Sequence, residues 1–347
     1  MISAVQDATC TVVISRGQSR NPQKRGLEQG IADEIGKLEG VNVLTIPHLY
    51  DLPKTSDSYQ TLSQIEGDLI VVSWIYSRAA HWILDRNGIQ GQVGIVEIGN
   101  PEDDDPEDDD PEDIGLEQSG STATDQDSES AEPVVDRVTD LYPRPDRKVH
   151  CIDLKVENDP QAFIAEIKRI LGVDVSSAEN SLPIVGGQLV QVEEQTSRRW
   201  YPVIDFSRCT NCMECVDFCL FGVYGVDGTE NILVEQPDNC RKGCPACSRV
   251  CPANAIIFPQ HKAPAIAGAE TEGDEGFKID LSQLFGAPNK SEDPIETAAR
   301  ERDEQLLLAG RDTIGIDEQL KKRQADLSSS PKDGLDRLID SLDDFDL

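Results

Sequence analysis

The chain reads as multidomain. An N-terminal α/β parallel-sheet domain carries an acidic disordered insertion; a small α+β unit follows, then a helical, partly disordered C-terminal region. Three observations lead there. β-rich apolar runs alternate with helical periodicity through the first half of the chain. Residues 101–136 hold sixteen Asp or Glu and neither Lys nor Arg. Eight of the ten cysteines fall within 43 residues, from Cys209 to Cys251.

CTVVIS (10–15) is the first strand, followed by the polar turn RGQSRN (16–21) and by Pro22, which suits a first helical turn. Leu27, Ile31, Ile35 and Leu38 then recur at near-helical spacing. VNVLTI (41–46) is a second buried strand, 57–66 a weaker helix, and DLIVVSW (68–74) a third strand. SRAAHWILDRNG (77–88) is helical with Asn87-Gly88 as its stop, and QVGIVEIG (92–99) is the fourth strand. KVHCIDL (148–154) is the fifth strand and PQAFIAEIKRILG (160–172) a helix ended by glycine. β-branched runs buried on both faces predict a doubly wound parallel sheet over 8–172. The stretch 101–146 interrupts it: PEDDDPEDDDPED repeats a five-residue unit, and so acidic a segment cannot bury enough surface to order itself. Residues 173–199 form a linker, with a β-hairpin arm expected in 183–195.

The cysteines occupy 200–259. Cys209, Cys212, Cys215 and Cys219 are spaced C-x2-C-x2-C-x3-C; Cys240, Cys244, Cys247 and Cys251 are spaced C-x3-C-x2-C-x3-C-P. Three thiolates two or three residues apart can wrap one face of a 4Fe–4S cube, while the fourth points away to the other cube. That assigns Cys209, Cys212, Cys215 and Cys251 to one cluster, and Cys240, Cys244, Cys247 and Cys219 to a second. The halves echo each other: each run follows a short apolar strand, YPVID (201–205) or ILVE (232–235). Zinc sites usually set their cysteine pairs a dozen or more residues apart, so crowding of this kind favours iron–sulfur.

These residues resemble the bacterial-type two-cluster ferredoxins. The resemblance implies a module of small hairpins and two short helices that carries single electrons, one per cluster, to or from a redox partner. Leu220 stands where that family usually has proline, and the second run has one extra residue, which Gly243 is expected to absorb at positive φ.

A net charge of −33 repels nucleic acid and favours partners with a basic docking surface. No apolar stretch approaches a membrane span, and thiolates committed to iron need a reducing compartment, so a cytoplasmic location is expected.

Past the cysteines, 260–291 is Ala/Gly/Pro/acid-rich linker and 292–347 a helical tail. A helix starts at Asp293-Pro294, runs through Ile295, Ala298, Ala299, Arg302 and Leu306, and stops at Gly310. Further helices are expected over 316–327 and 334–347.

Ligands of open α/β sheets bind beyond the carboxyl ends of the strands. Here that edge gathers Arg16–Asn21, His48, Tyr50, Trp74, Tyr76, Arg78 and His81, a set suited either to an anionic or planar ligand or to packing against the cysteine unit. VVISRGQSRNP (12–22) and its helix are similar to the start of sirohydrochlorin cobaltochelatase-like α/β domains. That likeness implies a tetrapyrrole-shaped pocket, although Arg16, Gly17 and Gln18 stand where that family has its metal-handling histidine. An iron–sulfur enzyme, its α/β domain binding a substrate reduced via the clusters, is thus the alternative to an electron carrier. Cys10 and Cys151, in strands one and five, read as buried structural thiols.

Overall fold

The computed structural model describes residues 10–38, 40–99, 137–173, 189–270 and 294–315. Six strands form a parallel sheet: β1 (Cys10–Ser15), β2 (Val41–Ile46), β3 (Leu69–Ser73), β4 (Gln92–Val93), β5 (Lys148–Asp153) and β6 (Leu189–Gln191). Their order is β4-β5-β3-β1-β2-β6, with every pairing parallel. The chain reverses direction across the sheet between β1 and β3, where a doubly wound fold opens its crevice.

The helices between these strands are set by their caps. Helix α1 (Pro22–Ile35) opens on Asn21, whose side chain accepts from the Gln23 N–H, with proline in its first turn. Ser56 does the same for α2 (Asp57–Ser63) by accepting from Tyr59 N–H. Helix α3 (Ser77–Arg86) ends at Asn87. After a short α4 (Val138–Leu141), α5 (Pro160–Leu171) opens on Asp159 and stops at Gly172, left-handed at φ 67°.

Alternation along the strands sends side chains to two faces. Val12, Ile14, Ile70, Val72 and Ile152 meet Leu27, Ile31, Ile35, Phe163 and Ile167 of α1 and α5. On the other face Val13, Val71 and Val149 meet Leu62, Ala79 and Ile83 of α2 and α3. Tyr201, Val203 and Ile257, from the cysteine-bearing region, complete that second face. The sheet therefore uses the cysteine region as part of its cover.

Four segments differ from the sequence expectation. Residues 92–99 form a strand only at Gln92–Val93. Gly94 N–H still donates to Val149, but a Cβ at Gly94 would stand 2.4 Å from the His150 ring, and His150 Nδ1 sits 2.9 Å from the Ile95 carbonyl. Beyond Gly94 the Ile95 carbonyl thus faces the imidazole, and the glycine leaves that ring its room. Of the expected hairpin arm 183–195, the described part is no hairpin: β6 joins β2 as a parallel edge strand, because Leu189–Gln191 can satisfy its backbone on the open side of β2. Of the expected insertion 101–146, residues 137–146 carry α4, with Val138 buried and its N–H donating to the Cys209 carbonyl. Arg144 clasps the buried Asp85 carboxylate through two nitrogens at 2.5 and 3.0 Å. In the stretch read as linker, Pro264–Ala267 is a short helix, α8, with Ile266 and Ala267 buried. The acidic 101–136 and the helices expected over 316–327 and 334–347 lie outside the described residues.

Candidate metal centre

Two short sheets frame the cysteines. β7 (Val203–Ile204) pairs antiparallel with β10 (Ile256–Ile257), tying the ends of the region together. β8 (Tyr224–Val226) and β9 (Ile232–Val234) form a hairpin between the two runs. Asp205, just after β7, shapes the first loop: its side chain accepts from Ser207, and its carbonyl from Cys209 N–H at 2.9 Å.

The internal echo seen in the sequence extends to the backbone. Cys215 lies in α6 (Glu214–Phe218) and Cys247 in α7 (Ala246–Val250), each one turn long. Cys219 and Cys251 cap those helices with near-identical angles, φ −80° ψ 110° and φ −72° ψ 112°. Three residues further on, Gly222 and Asn254 both turn left-handed, at φ 66° and 47°. Gly243 takes φ 87° with nothing crowding it, which is how the second run fits its extra residue.

Burial raises the pKa of the thiols, since a thiolate loses its hydration. Cys209 and Cys244 are each pushed up to about 11, and Cys215, Cys240 and Cys247 rise as well. The cysteine charges that act on each thiol divide the eight into two sets. Cys215 feels Cys251, Cys209 and Cys212; Cys247 feels Cys219, Cys240 and Cys244. Around the second set lies a narrow space of about 20 Å³ lined by Cys219, Cys240, Cys244 and Cys247 with Phe218, Phe221, Val223 and Tyr224. Among the described residues no three His, Cys, Asp or Glu side chains converge closely enough to hold a single ion. The thiols of a cluster each reach a different iron and stand further apart than the ligands of one ion. A soft, all-sulfur donor set around an apolar enclosure fits such a group.

Three contacts that sequence reasoning missed surround this centre. Tyr224 OH donates to Cys247 Sγ at 3.1 Å, and Trp200 Nε1 donates to the Cys244 carbonyl at 3.2 Å. Arg302, from α9 (Pro294–Leu308), lies over the Phe218 ring and lines the same enclosure. Its place between Ala298 and Leu306 on the helix's apolar stripe was the available signal.

The residues gathered at the sheet's carboxyl edge part company. Tyr50 stacks on Tyr201 at 4.3 Å and shares three hydrogen bonds with it. Arg78 pairs with the buried Asp205 at 2.5 Å and donates to the Asn254 carbonyl. His81 is buried, edge-on to Trp82, with neither ring nitrogen hydrogen-bonded. These three pack at the contact with the cysteine region. Glu28 closes the crevice between β1 and β3, accepting from Gly17 N–H and Trp74 Nε1, both at 2.8 Å. Tyr76 lies beneath the Lys155 ammonium. Arg16, Gln18 and His48 remain on an open cleft of about 590 Å³ with Arg25, Asp51 and Glu193. Cys151 is buried and Cys10 half-buried, their thiols pushed up to about 12 and about 11 by burial.

The chain is similar to an uncharacterized ferredoxin of Methanocaldococcus jannaschii, 47% identical over 66 residues. The match covers 19% of this chain and 44% of that protein. It supports a ferredoxin-like iron–sulfur domain here. No protein-family model matches the chain, and no solved structure matches it. The likeness to cobaltochelatases therefore finds no support. Among the described residues no helix is long and apolar enough to cross a membrane.

Proposed function

We propose that this protein is an electron carrier whose region 200–259 binds two 4Fe–4S clusters and exchanges single electrons with a redox partner protein. The observation that supports the reading is the repeated backbone of the two cysteine runs, each with a one-turn helix closed by a cysteine, Cys219 or Cys251, at near-identical angles. Cys209, Cys212, Cys215 and Cys251 hold the first cluster; Cys240, Cys244, Cys247 and Cys219 hold the second. Each cluster, when bound, supplies one-electron redox chemistry. The chain supplies thiolates, backbone N–H groups toward the sulfurs and an apolar wall of Phe218, Phe221 and Val223 that keeps water out. The proposed division of the chain is an α/β domain over 8–172, a connection over 173–199, the cluster domain over 200–259 and a C-terminal region from 260. With a charge of −33, a redox partner with a basic docking surface would be steered in over about a Debye length, ~8–10 Å.

Iron and sulfide analysis with a visible and EPR spectrum tests the reading. About eight irons per chain are expected, and Cys219→Ala should damage the second cluster more than the first. Zinc in place of iron, or loss confined to the first cluster, overturns it.

A second reading rests on the open cleft by Arg16, Gln18, Arg25 and His48. It would make the protein an iron–sulfur enzyme or subunit, with a substrate bound at the sheet's carboxyl edge. Reduction and reoxidation by redox proteins without turnover of any small molecule decides for the carrier.

A further inference from the structure

Helix α9 lies outside both cysteine runs, yet it builds part of the second thiol set's surroundings. Ile295 and Ala298 pack with Phe218, Cys244, Ala246 and Val250 in one apolar cluster against α7. Arg302 follows on the same stripe and is 5% exposed, an unusual depth for a guanidinium. Its group sits 4.5 Å from the Phe218 ring centre, and its nitrogens donate to Asp303 and to the Gly315 carbonyl. The same side chain lines the enclosure with Cys219, Cys240, Cys244 and Cys247. Tyr224 reaches that set from β8, its hydroxyl donating to Cys247 Sγ at 3.1 Å.

The first set is furnished differently. Besides burial and one another, Cys209, Cys215 and Cys251 are acted on by backbone N–H groups and, at Cys209, by the Asp205 carboxylate. Cys219 and Cys244 likewise have backbone N–H groups toward them, but both also feel the Arg302 cation; the Glu301 carboxylate that acts on Cys244 is itself paired with Arg249 at 2.9 Å. Cys212 of the first set is exposed.

We propose that Arg302 and Tyr224 are tuning residues that give the second site, at Cys219, Cys240, Cys244 and Cys247, the higher reduction potential of the two. The inference rests on the two-cluster reading above. Reduction adds one negative charge to a site. A nearby cation and a hydroxyl donating to a ligand sulfur both stabilise that charge, and a carboxylate opposes it. Covering the site with α9 excludes water and pulls the other way, which is why a buried cation matters there more than on the surface. Asp303 cancels part of the Arg302 charge, so the effect is a tuning and not a large displacement. An electron shared between the sites then rests under α9, away from exposed Cys212.

The test is an EPR-monitored potential titration of the reconstituted full chain and three variants. The wild type should show two separate midpoints. Arg302→Gln should lower the upper one, so that the reduced-to-oxidised ratio at the wild-type midpoint falls about tenfold, ~59 mV for one electron. Its lower midpoint should stay in place. Arg302→Lys should keep most of the wild-type value, because the charge remains. Tyr224→Phe, which keeps the ring, should lower the same midpoint by about threefold in that ratio, the worth of one hydrogen bond. If Arg302→Gln fails to hold iron, Tyr224→Phe alone decides. Coincident wild-type midpoints, movement of the lower midpoint, equal losses in the Gln and Lys variants, or no shift in Tyr224→Phe overturn the proposal. Iron well below eight per chain in the wild type overturns instead the two-cluster reading beneath it.

Discussion

Strand β3 buries all five of its residues in the parallel sheet, whereas the strands framing the cysteines are two or three residues long. The helices differ in the same way: α1 and α5 run 14 and 12 residues, while α6 and α7 run five each. Among the described residues, those at positive φ other than glycine, Asn211, Met213, Glu230 and Asn254, all lie in the cysteine region. Its core includes the thiols themselves, with Cys209, Cys215 and Cys247 among its buried side chains. The α/β sheet thus rests on apolar burial and helix caps. The cysteine region also buries apolar side chains, but its short helices α6 and α7 have no side-chain caps, and it places bent backbone and sulfur where a metal group would hold them. A region of about sixty residues sits near the lower limit for a self-sufficient core, which is where metals commonly add the missing stability.

Removing the metal is the strongest way to break that contrast. Chelation of the reconstituted protein should free the amides of 203–258 to exchange, while those of β1 and β3 keep their protection, read by hydrogen exchange with mass spectrometry. Equal protection of both regions afterwards would show that the cysteine region stands on its own packing.

The contact between the two regions supplies a sharper probe. Arg78 and Asp205 are both buried, 5% and 1% exposed by side chain, so Arg78→Met leaves the carboxylate with Ser207 and, at 3.5 Å, Arg208 as its partners. A loss of about 3–5 kcal/mol in denaturant unfolding is expected, and removing both charges together should recover much of it. A loss below about 1 kcal/mol would mean that Arg208 or water takes over the pairing with Asp205.

His81 adds a smaller, pH-dependent effect at the same contact. Burial lowers its pKa to about 4, with Asp205 opposing and Arg144 reinforcing the shift. The folded protein therefore keeps His81 neutral where the unfolded chain binds a proton. Stability from this residue is complete above about 6.5 and is lost as pH falls toward 4, on the order of 3 kcal/mol in all. His81→Leu should flatten that part of the stability–pH curve without harm at neutral pH, because neither ring nitrogen has a hydrogen bond to lose. An unchanged acid slope in the variant would place the proton uptake elsewhere.

Local chemistry was enough to read much of this protein from its residues. Apolar runs such as CTVVIS and DLIVVSW, a first-turn proline such as Pro22, and stops such as Gly172 act within a few residues of themselves. They placed the principal strands and helices, including α9. The cysteine spacing is likewise local, because a three-residue step decides which thiols can reach one group, and it singled out Gly243 as the residue to turn left-handed. What acts across long separations was decided only by the tertiary structure. Tyr50 and Arg78 suited either a ligand or a contact with the cysteine unit, and residues 151 and 127 positions away claim them for the contact. β6 became a sixth parallel strand because β2 had an open edge for it to pair with. The fourth strand stops at Val93, and the Ile95 carbonyl beyond it meets the His150 ring of the neighbouring strand. Arg302 could be placed on an apolar stripe from sequence alone, but only packing α9 against α7 brings its charge to the thiols of the second set. Burial, charge partnership and edge pairing are properties of surfaces that meet in space, and no window of the sequence contains both surfaces at once.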